Sequence, residues 1–244
     1  MASGSLFLLK IWTCSSFRTG SMFRAALISA FIMFVNIPGQ NQGEHISVSN
    51  TANYLQQIKL DPDKKLVEIK KYIAGIALDI RYATTNNFAH HKMYPEAKAF
   101  ERLPVVLALK HVEAALKLQG LGLKIYDAYR PYAVTVKFYD LIRDTDFVAD
   151  PAKGSKHNRG CAIDLSLIDL KTGKELDMPT GFDSFSKKAA STNTDLPKQE
   201  IANRALLKKV MVAHGFTELP TEWWHFDFNG WKNYELLDVP FFSL

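Results

Sequence analysis

Apolar residues recur at helical spacing in three stretches of the chain and alternate in several others. Across residues 103–119, Leu109, Val112, Ala115 and Leu116 form one stripe. Pro104 lies near its start, where a missing N–H costs nothing, and Gly120 and Gly122 stop it. This spacing predicts a core-facing helix, with His111 as a packed or surface residue rather than a ligand. Residues 132–143 predict a second helix. Residues 199–214 predict a third, with Leu206, Val210 and Ala213 inward and Gly215 as its stop. Strand patterns fall within residues 76–80, at 123–126 ending on Asp127, at 161–168 and at 222–228. Between them run a loop at 84–91, another at 144–158, and a long excursion at 169–198 rich in Gly, Pro, Ser, Thr and Asp. Residues 41–60 read as a polar, irregular lead-in. Helices and strands mix without a regular βαβ rhythm, which predicts an α+β domain rather than a doubly wound sheet.

Composition changes this picture mainly at the N-terminus. Arg18 and Arg24 precede an apolar run at 25–35, followed by the breakers Asn36, Pro38 and Gly39. A basic start, a short apolar core and a polar exit are the parts of a secretory signal, and the core is shorter than the roughly 20 apolar residues of a membrane span. Residues 1–40 are therefore expected to be a signal peptide or N-terminal anchor and residues 41–244 the functional domain, with Met22 as an alternative start. An exported location, periplasmic or secreted, follows. The formal charge of +5 drops to +2 once Lys10, Arg18 and Arg24 are set aside, because 27 basic residues then face 25 acidic ones. With no arginine-rich run or aromatic-interleaved basic patch, nucleic acid is not an expected partner. An apolar share of 47% and a charged share of 23% exclude disordered and fibrous classes. Removal of the leader would take Cys14 and leave Cys161 alone, so no disulfide is expected.

Three clusters carry candidate chemistry. On a strand at 161–168, Cys161, Ile163, Leu165 and Leu167 make one apolar face, and Ala162, Asp164 and Ser166 point to the other. A carboxylate at a strand centre must be paired, hydrogen-bonded or on a metal. His157 lies just upstream, and Gly160 lets the chain bend so that the two converge. An Arg pair for Asp164, with His157 as an ordinary loop residue, is an equally good reading of that spacing. The second cluster is Glu222-Trp223-Trp224-His225, where a histidine among large aromatics needs partners for its ring nitrogens. Two histidines, one carboxylate and an open fourth position form a recurrent catalytic zinc set, and Glu222 could serve as general base. In a regular strand 222 and 225 face opposite sides, so this role requires Glu222 to sit in a loop or on a bulge. The third cluster is Asp127-Ala128-Tyr129-Arg130-Pro131. Its rigidly held Arg130 could stabilise an oxyanion, or it could form a structural pair with Asp127 or Asp79.

The pattern Ser155-x-His157-x-x-Gly160-x-Ala162-x-Asp164 followed by Glu222-x-x-His225 resembles the zinc D-Ala-D-Ala peptidases that share a fold with the hedgehog signalling domain. Asp79-Ile80-Arg81-Tyr82-Ala83-Thr84, Tyr129-Arg130-Pro131 and Glu222-Trp223-Trp224-His225 narrow the resemblance to the D-alanyl-D-alanine dipeptidases, including those associated with glycopeptide resistance. It runs from about residue 66 to residue 228 with the motifs in order. It implies a single α+β domain of hedgehog/DD-peptidase type, an antiparallel sheet with packed helices. It also implies one Zn2+ per chain held by His157, Asp164 and His225, with Glu222 as catalytic base and Arg130 at the transition state. Ser155 and Asp183, the latter in the Phe182-Asp183 pair, are implied to receive the ammonium group of a small D-dipeptide. The implied reaction is hydrolysis of D-alanyl-D-alanine to two D-alanines, in cell-wall peptide metabolism or glycopeptide resistance. The same chemistry on longer peptidoglycan peptides, as a D,D-carboxypeptidase or endopeptidase, is the nearest rival. A zinc-stabilised binding module without catalysis is a further one. No stable membrane partner is expected after signal cleavage. Neither His90 nor His91 has a counterpart, and both read as surface loop. Cys161 reads as a small packed hydrophobe.

Overall fold

The computed structural model describes residues 46–144 and 148–244, so the expected leader at residues 1–40, with Cys14, lies outside the described residues. In chain order the elements are β1 (Val48–Ser49), α1 (Thr51–Leu60), β2 (Leu66–Glu68), α2 (Ile69–Tyr72), β3 (Ala77–Leu78), β4 (Phe100–Arg102), α3 (Leu103–Lys117) and β5 (Leu121–Asp127). They continue with α4 (Tyr132–Ile142), β6 (Ala162–Asp169), α5 (Lys198–Ala213), β7 (Phe216–Leu219), β8 (Glu222–Phe228) and β9 (Leu236–Leu237). The fold is α+β. Its main sheet has the order β3-β5-β6-β8-β7, and two small pairs, β1 with β9 and β2 with β4, lie outside it. The expected antiparallel sheet is antiparallel from β5 to β7, but β3 joins its edge in parallel, so the sheet is mixed.

β6 is the central strand, and residues 162–168 are buried on both faces. Ile163, Leu165 and Leu167 are fully buried, as their alternation requires. The opposite face, with Ala162, Asp164 and Ser166, is also buried, so the charge of Asp164 needs partners close by. Helix α3 packs on β5 and α5, and its stripe Leu109, Val112 and Leu116 is fully buried.

Two sequence expectations need correction. Residues 51–60 are helical rather than irregular. α1 buries only Tyr54, so it carries no apolar stripe to betray it; the signal available was Asn50, whose side chain accepts the Asn53 N–H at 3.0 Å. In α5 the inward set is Asn203, Arg204, Leu207, Val210 and Met211, while Ala213 is exposed and Leu206 half-buried. Asn203 and Arg204 face inward because their side chains bond carbonyls of the 169–198 excursion: Asp177 for Asn203, and Ala190 and Asn193 for Arg204. Among the described residues no helix is long and apolar enough to cross a membrane.

Candidate metal centre

Strand register does most of the assembly. Asp164 on β6 stands opposite His225 on β8, and Asp127 at the end of β5 stands opposite Asp164 from the other side. Directly opposed residues on antiparallel strands have Cβ atoms about 5 Å apart, close enough for their polar ends to meet. His157 arrives from outside the sheet on a single 3-10 turn, His157–Arg159. Gly160 closes that turn with φ +64°, and a Cβ there would lie 2.5 Å from Leu66 Cδ2. The buried Asn158 fastens the turn. Its Oδ1 accepts the Ser155 N–H at 2.8 Å, and its Nδ2 donates to Arg130 O at 2.9 Å and Thr135 Oγ1 at 2.8 Å.

The outcome is a triangle of donor atoms. His225 Nδ1 is 3.0 Å from Asp164 Oδ1 and 3.2 Å from His157 Nε2, which is 3.5 Å from Asp164 Oδ1. Tetrahedral zinc with bonds of about 2.0–2.1 Å sets neighbouring ligand atoms about 3.3 Å apart, so the spacing fits. The outer ring nitrogens are also committed: His157 Nδ1 to Ala128 O at 2.8 Å, and His225 Nε2 to Asp227 Oδ1 at 3.0 Å. Such partners hold the outer protons and turn the inner lone pairs toward a shared point, which then requires a cation, metal or proton. Among the described residues this is the one group of three His, Cys, Asp or Glu side chains converging closely enough to hold a metal.

Electrostatics agree with a cation-seeking site. Burial opposes the charge of Asp164, but His157 and His225 more than offset it and hold the carboxyl below the ordinary carboxylate range. Burial alone would lower His225; hydrogen bonds with Asp164 and Asp227 instead push it up to about 10. Glu222 Oε2 lies 3.8 Å from His225 Nδ1, and burial raises its carboxyl. The bulge this placement requires is present. Glu218 pairs with Phe226 but the next residue, Leu219, pairs with Glu222, so β8 has Trp223, Trp224 and His225 in excess of its partner. That break in alternation puts Glu222 and His225 on one cavity.

Arg130 donates through Nε at 3.1 Å and Nη2 at 2.6 Å to Asp127 Oδ2, so Asp127 rather than Asp79 is its structural partner. It also lines the cavity, of about 440 Å3, with Ser155, the three triad residues and Glu222. The Ser155 hydroxyl accepts the His157 N–H at 3.2 Å. Asp183 is not among the cavity-lining side chains. Its two carboxylate oxygens accept from the Tyr82 hydroxyl at 3.1 and 2.9 Å, and Tyr82 does line the cavity. Burial, and then the charge of Asp164, push the Asp183 carboxyl well above its ordinary range. Phe182, stacked on Tyr126 at 4.6 Å, anchors this part of the excursion, and Asp183 itself has φ +59°. His90 and His91 are exposed, and Cys161 is a fully buried free thiol.

Residues 62–242 match the family model described as D-ala-D-ala dipeptidase. The chain belongs to that family. A D-alanyl-D-alanine dipeptidase of Escherichia coli (strain K12) is 33% identical over 173 residues, covering 71% of this chain and 89% of the relative. One from Enterococcus faecalis (strain ATCC 700802 / V583) is 28% identical over 193 residues, covering 71% and 92%. The solved LdcB LD-carboxypeptidase superimposes with a TM-score of 0.38 at 23% identity, over 55% of this chain and 61% of its own, too loose a match to bear on the site. The chain is thus a metallopeptidase of the D-Ala-D-Ala dipeptidase family, and its reaction is hydrolysis of D-alanyl-D-alanine.

Two residues of the site, and a third on β4 that does not line the cavity, escape a reading by motif. Asp227 and Lys156 form an ion pair beside His225, at 2.6 Å; Asp227 follows His225 by two positions, so the period of a strand was the signal. Glu101 on β4 is fully buried with neither carboxylate oxygen hydrogen-bonded, and burial drives its carboxyl well above the usual range. Nothing local in Phe100-Glu101-Arg102 announces that.

Proposed function

We propose that the metal is a single zinc ion held by His157 Nε2, an Asp164 carboxylate oxygen and His225 Nδ1, and that the substrate is a free D-dipeptide bound in the adjoining cavity. The observation that carries this reading is the donor triangle with edges of 3.0–3.5 Å, both of its imidazoles locked from behind. Bound zinc would polarise the scissile carbonyl and lower the pKa of a coordinated water toward about 7. Glu222, 3.8 Å from His225 Nδ1, takes a proton from the attacking water and returns it to the leaving amine. Arg130, kept rigid by its two hydrogen bonds to Asp127, turns its remaining donors toward the oxyanion that develops on the carbonyl. Asp183 and Ser155 receive the substrate ammonium. The Asp183 carboxyl, its charge suppressed by desolvation, would regain it beside a cation, and Tyr82, whose hydroxyl bonds it, is one of the residues lining the cavity. An exported location is supported by the basic, apolar and breaker pattern of residues 1–40.

The metal assignment is tested by zinc content after dialysis. Wild type is expected to retain one zinc per chain, and Asp164→Ala and His225→Ala close to none. Retention of a full equivalent by both folded variants would place the metal elsewhere.

A further inference from the structure

His225 uses one ring nitrogen on each side. Nδ1 faces Asp164 Oδ1 and His157 Nε2, and Nε2 faces Asp227 Oδ1 at 3.0 Å. For Nδ1 to offer a lone pair inward, the ring proton must sit on Nε2, and Asp227 is its acceptor. The other oxygen of Asp227, Oδ2, accepts from Lys156 Nζ at 2.6 Å. Lys156 precedes His157 in sequence, and its ammonium also lies over the Trp231 ring at 5.2 Å. The Lys156–Asp227 pair therefore fastens the turn that carries one histidine to the strand that carries the other. Asp227 and His225 are both buried, which restricts exchange of their bond for water, while Lys156 is partly exposed at the cavity edge.

We propose that Asp227, clamped by Lys156, is a positioning residue that fixes His225 in the tautomer and orientation needed to hold the metal. The inference rests on the zinc reading above but goes beyond the three ligands. Lysine has donors only. If Asp227 is replaced by Asn, Lys156 claims the amide oxygen and leaves the amide NH2 facing His225 Nε2. Two donors then oppose each other, the ring proton shifts to Nδ1, and the metal-facing lone pair is lost. Removing the ammonium as well frees the Asn side chain to flip and present its oxygen to His225. Damage from the first substitution should thus be partly repaired by the second, a sign that a purely structural ion pair does not give.

The experiment uses the full purified chain, with zinc alone and cobalt(II) alone as probes. Wild type, Asp227→Asn, Lys156→Met and the double variant are compared by competition against a chelator and by the visible absorption of the cobalt form. Loss of an outer partner of a metal-binding histidine typically weakens metal binding by about 10–100-fold. Asp227→Asn is expected to lose zinc affinity in that range with an altered cobalt spectrum, and the double variant to recover part of both. Lys156→Met alone is expected to lose less than Asp227→Asn. Wild-type affinity and an unchanged spectrum in Asp227→Asn would overturn the proposal, as would an equal loss with and without Lys156. A wild-type chain that takes up no zinc is a different result, since it removes the metal assignment itself.

Discussion

Glu222 and the three triad residues line one cavity, yet the four side chains do different work. Glu222 lies outside the close triangle, so Glu222→Ala is expected to keep one zinc per chain while kcat falls by about 10²–10⁴, the usual contribution of a positioned acid–base group. Metal analysis beside steady-state kinetics checks this, and zinc loss with activity retained would reverse the assignment. Arg130→Ala is expected to lower kcat by about 10²–10³, measured on the folded fraction because the change also strands the buried Asp127. Glu101 contributes in the opposite sense. Its folded carboxyl titrates well above the usual range, so it costs stability increasingly as pH rises above that of an ordinary carboxylate. Glu101→Gln should accordingly raise the melting temperature at pH 8 and change it little at pH 4; an equal difference at both would contradict this. The convergence of His157, Asp164 and His225 was legible through the family resemblance, since spacing alone left an ordinary arginine pair for Asp164 equally open. Glu101, Lys156 and the role of Asp227 were not, because each acquires meaning only from elements distant in sequence.

At the level of elements, the site depends on two local irregularities. One is the excess of three residues in β8 opposite Glu218 and Leu219, which places Glu222 and His225 on the same cavity. The need for a bulge was readable from the conflict between strand period and the proposed roles. The other is Gly160, where φ +64° and the nearness of Leu66 Cδ2 disfavour a side chain. Gly160→Ala is expected to cost about 1–3 kcal/mol, from left-handed backbone strain and overpacking, and to weaken zinc binding because His157 sits on the same turn. Thermal unfolding with and without zinc measures both. Helices α3 and α4 were found to within two residues because their apolar periods are strong. Helix α1 and the two- and three-residue strands β1, β2, β4 and β9 were not delimited, since segments so short or so polar owe their form to tertiary pairing.

For the whole molecule, metal binding and folding are linked, because the triangle exists only in the folded chain. Chelation is expected to lower the melting temperature, and zinc to restore it. In the metal-free protein the raised His225 contributes stability that is fully present below its unfolded pKa of about 6.5 and is lost as pH rises through about 10. The difference in unfolding free energy between metal-free wild type and His225→Gln should shrink across that window. The central claim, zinc-dependent cleavage of a free D-dipeptide, is met most directly by one assay. The chain lacking residues 1–40 is incubated with D-Ala-D-Ala, L-Ala-L-Ala and a pentapeptide ending in D-Ala-D-Ala, with zinc and with a chelator, and released amine is detected by ninhydrin. Cleavage of D-Ala-D-Ala alone, abolished by the chelator and restored by zinc, is the expected result. Efficient release of D-alanine from the pentapeptide, or D-dipeptide cleavage untouched by the chelator, would contradict it.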